Sequence, residues 1–85
     1  MKVCVKFFVF DLPPGFNDAQ FEFSEGADIN SVFDKCLELF TQRQVTMDEK
    51  ELRTATVLID GKWSDPESPI YDGAAVTIIR PMDGG

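Results

Sequence analysis

Residues 29–42 read INSVFDKCLELFTQ, and their apolar side chains recur at a helical spacing. Six positions share one side of the predicted helix: Ile29, Val32, Phe33, Cys36, Leu37 and Phe40. This pattern predicts an amphipathic helix, and Asp28 is a favourable N-cap residue before it. One helix with one apolar stripe covers one face of a sheet. We therefore expect the second face to meet water or a partner.

The segments before this helix predict a strand hairpin. In MKVCVKFFVF, residues 1–10, alternate side chains are apolar and form one side of a strand: Val3, Val5, Phe7 and Val9. The sequence AQFEFS at residues 19–24 alternates again, with Phe21 and Phe23 on one side. Residues 11–18, DLPPGFND, are rich in turn formers. We expect an antiparallel pair of strands joined by a wide loop.

Further strands follow the helix. The sequence ATVLID at residues 55–60 leads into the hairpin signal Asp60-Gly61 and a short return strand at residues 62–63. The last strand is AAVTIIR, residues 74–80. Residues 45–54 are polar and predict a loop that contains a short helical turn.

The order of these elements predicts the fold class. The first and last strands are the most apolar, so we expect them to pair in parallel at the centre of the sheet. The result is an α+β roll, in which a mixed sheet of about four to five strands packs one main helix on one face.

Composition narrows the classes of function. The chain has 85 residues, and 15 Asp and Glu against 8 Lys and Arg give a net charge of −7. Basic surfaces bind nucleic acids and anionic membranes, so we expect neither as a partner. The sequence has no His and two Cys, which excludes a Ser-His-Asp or Cys-His site and a four-cysteine zinc site. We expect one soluble domain without a bound metal, leader or membrane span, in the cytoplasm.

The chain ends in Gly84-Gly85, after a strand and a proline. Together with the ββ-α-ββ order, this ending resembles the ubiquitin-like sulfur carriers of the MoaD/ThiS type, and most of all the small subunit of molybdopterin synthase. The matching blocks extend over nearly the whole chain: residues 2–8, 25–27, 57–61, 69–76 and 79–85. The resemblance implies a β-grasp roll over residues 1–81 and a flexible tail at residues 82–85.

The resemblance also implies a chemistry for the tail. The carboxylate of Gly85 is expected to be adenylated and then converted to a thiocarboxylate, while Gly84 keeps the tail narrow. ATP is consumed by an activating partner, and no cofactor is bound by this chain. The implied partners are an adenylyltransferase of the ubiquitin-activating type and the large subunit of molybdopterin synthase. The chain is expected to be a monomer alone and non-catalytic without its partners.

Departures from the family pattern keep other functions open. Asp83 stands where a small or apolar residue is usual, and Arg80-Pro81 replaces a common Pro-Pro. A sulfur carrier for thiamine thiazole or another thio-product is one alternative, although the insert at residues 45–54 favours the molybdopterin type. The others are a ubiquitin-like protein modifier and a β-grasp binding module with an incidental Gly-Gly.

Strand alternation predicts an apolar patch on the side away from the helix, formed by Phe8, Phe10 and Ile79. The alternative is partial burial of these side chains under loops. Exposed apolar patches commonly mark interaction sites, and the resemblance implies docking through this face. The expected partner-binding residues are Phe8, Ile79, Pro81 and Met82.

Other residues have simpler interpretations. Cys4 and Cys36 are expected on opposite sides of the sheet, too far apart for a disulfide, and neither is expected to carry the transferred sulfur. Trp63 is expected to pack on its neighbours in the hairpin. The acidic residues 48–51 are expected to be a solvated loop rather than a metal site.

Overall fold

The computed structural model describes residues 1–8, 10, 12 and 19–80. The elements of this part of the chain, in order, are β1 (Lys2–Phe8), β2 (Ala19–Glu22), α1 (Ile29–Gln42), α2 (Glu49–Arg53), β3 (Thr56–Ile59), β4 (Lys62–Ser64) and β5 (Ala75–Ile79). Most of the predicted wide loop and the whole tail at residues 82–85 lie outside the described residues.

The strands of the described residues form one five-stranded mixed sheet in the order β2-β1-β5-β3-β4. β1 and β5 are parallel neighbours, whereas β1–β2, β3–β5 and β3–β4 are antiparallel pairs. The first and last strands therefore lie side by side inside the sheet, as their apolar sequences predict. Their covered sides are buried throughout: Val3, Val5, Phe7, Val76 and Ile78.

Helix α1 begins and ends at the predicted residues. The Asp28 carboxylate accepts a hydrogen bond of 3.1 Å from the backbone N–H of Ser31, and the Ser31 hydroxyl accepts one of 3.3 Å from the Asp28 N–H. This reciprocal cap satisfies two N–H groups at the helix start. The apolar stripe is buried except for Leu37, which is half-buried, and its fully covered members are Ile29, Val32, Phe33, Cys36 and Phe40.

The core also receives residues from segments outside α1 and the sheet. Leu52 of α2 is fully buried, and Ile70 and Ala74 in the connector before β5 are buried as well. The expected helical turn in residues 45–54 is thus confirmed as α2, and its residue Leu52 packs in the core.

Two turns position strands of the sheet, one between β3 and β4 and one before β5. In the β3–β4 hairpin, Asp60 and Gly61 have φ values of 51° and 82°. A two-residue turn that matches the twist of its strands requires this left-handed backbone conformation at both positions. Before β5, Asp72 accepts a 2.7 Å hydrogen bond from the Lys2 N–H, and Gly73, at φ 83°, donates one of 2.8 Å to the Lys2 carbonyl. The block at residues 69–76 therefore aligns β5 with the start of β1.

One predicted orientation is wrong. Phe10 was expected to point away from the helix, but its ring meets the Phe7 ring edge-on at 5.9 Å and an interplanar angle of 86°. Phe10 is half-buried against the core. β1 ends at Phe8, so the alternation of the strand does not extend to Phe10 and no longer determines its side. Val9 lies outside the described residues.

Candidate functional site

Phe8 and Ile79 lie next to each other on the face of the sheet that points away from α1, the uncovered face, on which no helix of the described residues packs. They are register partners on the parallel strands β1 and β5, and each follows a buried residue, Phe7 or Ile78, that faces the helix. The Phe8 side chain is 52% exposed, and Ile79 is half-buried. The expected patch is present with these two residues, and Phe10 does not belong to it.

The chain leaves the sheet beside this patch. Arg80 follows the last residue of β5, and its backbone N–H donates a 3.1 Å hydrogen bond to the Phe8 carbonyl. The Arg80 guanidinium forms an ion pair with Glu51 of α2, at 2.5 Å between Nε and Oε1. The four remaining expected site residues lie outside the described part of the chain: Pro81, Met82, Gly84 and Gly85.

The uncovered face carries more than the apolar pair. A row of register partners crosses it from Lys6 through Thr77 and Leu58 to Trp63 on the edge strand β4. The side chain of Lys6 is exposed at one end of this row, next to Thr77. This face therefore combines apolar and polar side chains.

Trp63 does not pack as expected. Its side chain is 80% exposed, the largest exposure among the large hydrophobic side chains of the described residues. β4 has three residues and pairs with β3, and the Trp63 partner on that strand is Leu58. Because paired residues of neighbouring strands share a face, Trp63 lies with Leu58 on the uncovered face. The sequence contains no signal for how little of the ring its neighbours cover.

The two cysteines lie on opposite sides of the sheet and are both free. Cys4, on the uncovered face, is half-buried, whereas Cys36 is fully buried in the stripe of α1. Burial raises the pKa of the Cys36 thiol to about 12 from an ordinary value of 9.0. Because the thiolate is the reactive form, Cys36 is unreactive at neutral pH.

The acidic residues near α2 have structural contacts. Asp48 caps the helix by accepting a 3.0 Å hydrogen bond from the Lys50 N–H. Arg53 pairs with Glu49 at 2.8 Å and with Asp34 of α1 at 2.6 Å, and these contacts raise the pKa of the Arg53 guanidinium. Among the described residues, no group of three His, Cys, Asp or Glu side chains is placed to hold a metal ion. No helix in the same residues is long and apolar enough to span a bilayer.

Comparisons with known proteins give similarity in three dimensions only. No family model matches the sequence, and no curated protein matches it. A putative molybdopterin converting factor subunit 1 from Pyrococcus furiosus superposes with a TM-score of 0.70 at 20% identity, over 95% of this chain and 98% of that one. SAMP1 from Haloferax volcanii gives 0.72 at 17% identity, over the full length of both chains.

A third solved structure has a similar fold. The Caldiarchaeum subterraneum ubiquitin gives a TM-score of 0.62 at 16% identity, over 100% of this chain and 98% of that one. At such identities the similarity is one of fold. The chain has the ubiquitin-like β-grasp fold that its sequence resemblance implied, with a five-stranded mixed sheet in the described residues and α1 as the main helix.

Proposed function

We propose that this β-grasp chain is a sulfur carrier in molybdopterin biosynthesis, the small subunit of a molybdopterin synthase. The observation that carries the proposal is the exit of the chain from the sheet. The central strand β5 ends beside an exposed aromatic side chain, Phe8, and only three residues separate Arg80 from the Gly-Gly terminus. The fold is shared with the Pyrococcus furiosus molybdopterin converting factor subunit.

The proposed chemistry takes place at the Gly85 carboxylate. A carboxylate oxygen attacks the α-phosphorus of ATP, pyrophosphate leaves, and the tail becomes an acyl-adenylate. A sulfur nucleophile at the oxidation level of sulfide then attacks the acyl carbon and displaces AMP, leaving a thiocarboxylate. Donation of that sulfur to a pterin precursor, with an oxygen atom taken from water, returns the carboxylate.

This chain acts as the reagent in the proposed scheme. It has no His to serve as a general base, and the Cys36 thiol is protonated at neutral pH because burial raises its pKa to about 12. The activating adenylyltransferase, of the ubiquitin-activating type, supplies ATP and the catalytic groups. The large synthase subunit supplies the pterin site. We propose a cytoplasmic monomer that alternates between these two partners.

The uncovered face is the proposed docking surface for both partners. Phe8 and Ile79 form its apolar centre, and Pro81 and Met82 extend the contact along the tail. Fixing a chain terminus in a partner costs about 1–2 kcal/mol per residue in backbone entropy. Burial of the sheet face offsets this cost. Glycine at the last two positions admits the closest approach of the backbone to a nucleotide site.

A ubiquitin-like protein modifier is the second candidate. The observation that favours it is the similarity of this fold to SAMP1 and to the Caldiarchaeum ubiquitin. Such a protein shares the adenylation step, but its Gly85 acyl group ends in an isopeptide bond to a lysine of another protein. The product of the activated tail therefore separates the two functions. Nothing in the described residues favours the thiamine thiazole alternative.

ATP–pyrophosphate exchange with the adenylyltransferase of the same organism tests the proposal. The wild-type chain is compared with a chain lacking Gly85 and with a chain extended by one Ala. Both changes move the reacting carbon, and a misplacement of about 1 Å can cost about 100-fold in rate. We expect exchange only with the wild type, while circular dichroism shows all three chains folded. Equal exchange by the extended chain would refute the proposed role of the terminus.

A further inference from the structure

Arg80 is held by two different elements. Its backbone N–H bonds to the Phe8 carbonyl of β1 at 3.1 Å, and its guanidinium pairs with Glu51 of α2 at 2.5 Å. The first contact continues the hydrogen bonding of the central strands past the end of β5. The second joins residues that lie 29 positions apart in the sequence, which shows that it depends on the tertiary fold.

The helix that carries Glu51 is itself well fixed. Leu52, the next residue, is fully buried in the core. The Asp48 side chain caps the helix start, and Arg53 bridges α2 to Asp34 on α1 at 2.6 Å. A five-residue helix has little stability of its own, so these three contacts keep it in place. Glu51 therefore presents its carboxylate from a defined position.

We propose that Glu51 is a positioning residue for the C-terminal tail: by holding Arg80, it fixes the direction in which the tail leaves the sheet. The inference rests on the proposed function. Five residues follow Arg80, and fully extended they reach about 17 Å. These residues start from Arg80, so the orientation of Arg80 determines which region within that reach the terminus can sample.

The expected effect is small and measurable. An exposed ion pair holds its partners together only weakly, so loss of Glu51 changes the population of the favoured direction by about two- to fivefold. The constraint acts on the free chain and lowers the ordering cost of binding. A bound tail is held by the enzyme whether or not Glu51 is present. We therefore expect the KM for this chain to rise and kcat to stay unchanged.

The test compares Glu51→Gln with Glu49→Gln. Both carboxylates belong to α2 and pair with an arginine, but the partner of Glu49 is Arg53, at 2.8 Å on the same helix. Nuclear magnetic resonance relaxation of the Arg80 amide reports its order directly and needs no partner protein. Pyrophosphate exchange then gives KM and kcat. A double variant, Glu51→Arg with Arg80→Glu, restores the ion pair with reversed charges.

The inference predicts a lower Arg80 order parameter and a two- to fivefold higher KM in Glu51→Gln alone, with recovery in the double variant. An unchanged Arg80 order parameter in Glu51→Gln would overturn the inference. An unchanged KM in this variant would also overturn it, provided that the wild-type chain supports pyrophosphate exchange. Recovery of order without recovery of KM would show that Arg80 contacts the enzyme directly, which also contradicts the inference. Absence of exchange by the wild type would refute the proposed function. The order parameters would still test whether Glu51 holds Arg80 in place.

Discussion

Truncation of Phe8 to alanine tests the docking face. The Phe8 side chain is 52% exposed, and a large aromatic side chain has about 200 Å² to bury, so about 100 Å² remains available to a partner. At about 25 cal/mol per Å², its burial contributes about 2.5 kcal/mol to binding. Phe8→Ala should therefore weaken binding by about 70-fold. Isothermal titration calorimetry with the adenylyltransferase and with the large synthase subunit measures this change.

Tyr71→Ala is the matched control. Tyr71 is 49% exposed, so its truncation removes similar exposed and buried areas. It lies in the connector next to Asp72, which bonds to Lys2 at the opposite end of β1 from Phe8. Similar losses of stability are expected in the two variants, up to about 2 kcal/mol from the buried half of each ring. Binding within twofold of wild type in Phe8→Ala, or equal weakening in Tyr71→Ala, would refute the docking face.

Three further predictions concern the cap of α1 and the two thiols. Asp28→Ala removes the side-chain acceptor of the Ser31 N–H but keeps the backbone N–H that bonds to the Ser31 hydroxyl, and it should lower the free energy of unfolding by about 1 kcal/mol in urea titrations, whereas Asp28→Asn should retain most of it. The double variant Cys4→Ser with Cys36→Ala should still acquire sulfur at its C-terminus, measured by intact mass; a folded variant that failed to do so would implicate a thiol. Because burial raises the pKa of Cys36 to about 12 from 9.0, the folded chain retains a proton that the unfolded chain releases above about pH 9. The free energy of unfolding should then fall by up to about 1.4 kcal/mol per pH unit between about pH 9 and 12, and Cys36→Ala should remove this contribution.

The elements that the sequence predicted well are those specified by local rules. The bounds of α1 follow from one apolar stripe and an Asp28 cap, both contained within adjacent turns of chain. The Asp60-Gly61 hairpin follows from the left-handed conformation that these residues tolerate. The central parallel pair follows from the apolar character of β1 and β5. The most apolar strands are expected where neighbouring strands cover both of their edges.

The errors concern features that depend on distant contacts. Phe10 follows the end of β1, and its side is determined by the Phe7 ring rather than by strand alternation. Trp63 is 80% exposed because its short edge strand has a single neighbour in the sheet. The pairing of Glu51 with Arg80 has no signal in the sequence, since charged side chains near α2 offer several alternative partners. For the candidate site, the apolar pair Phe8 and Ile79 was predicted and the ion pair beside it was not.

The proposed function requires that Gly85 carries the sulfur. Its most direct test is mass spectrometry of the C-terminal fragment, isolated from native cells that lack the large synthase subunit, so that an activated tail accumulates. We expect a fragment in which one sulfur replaces one oxygen at Gly85. A Gly85 that retains its ordinary carboxylate in these cells, or is found only in isopeptide linkage to lysines of other proteins, would refute the proposed sulfur-carrier function.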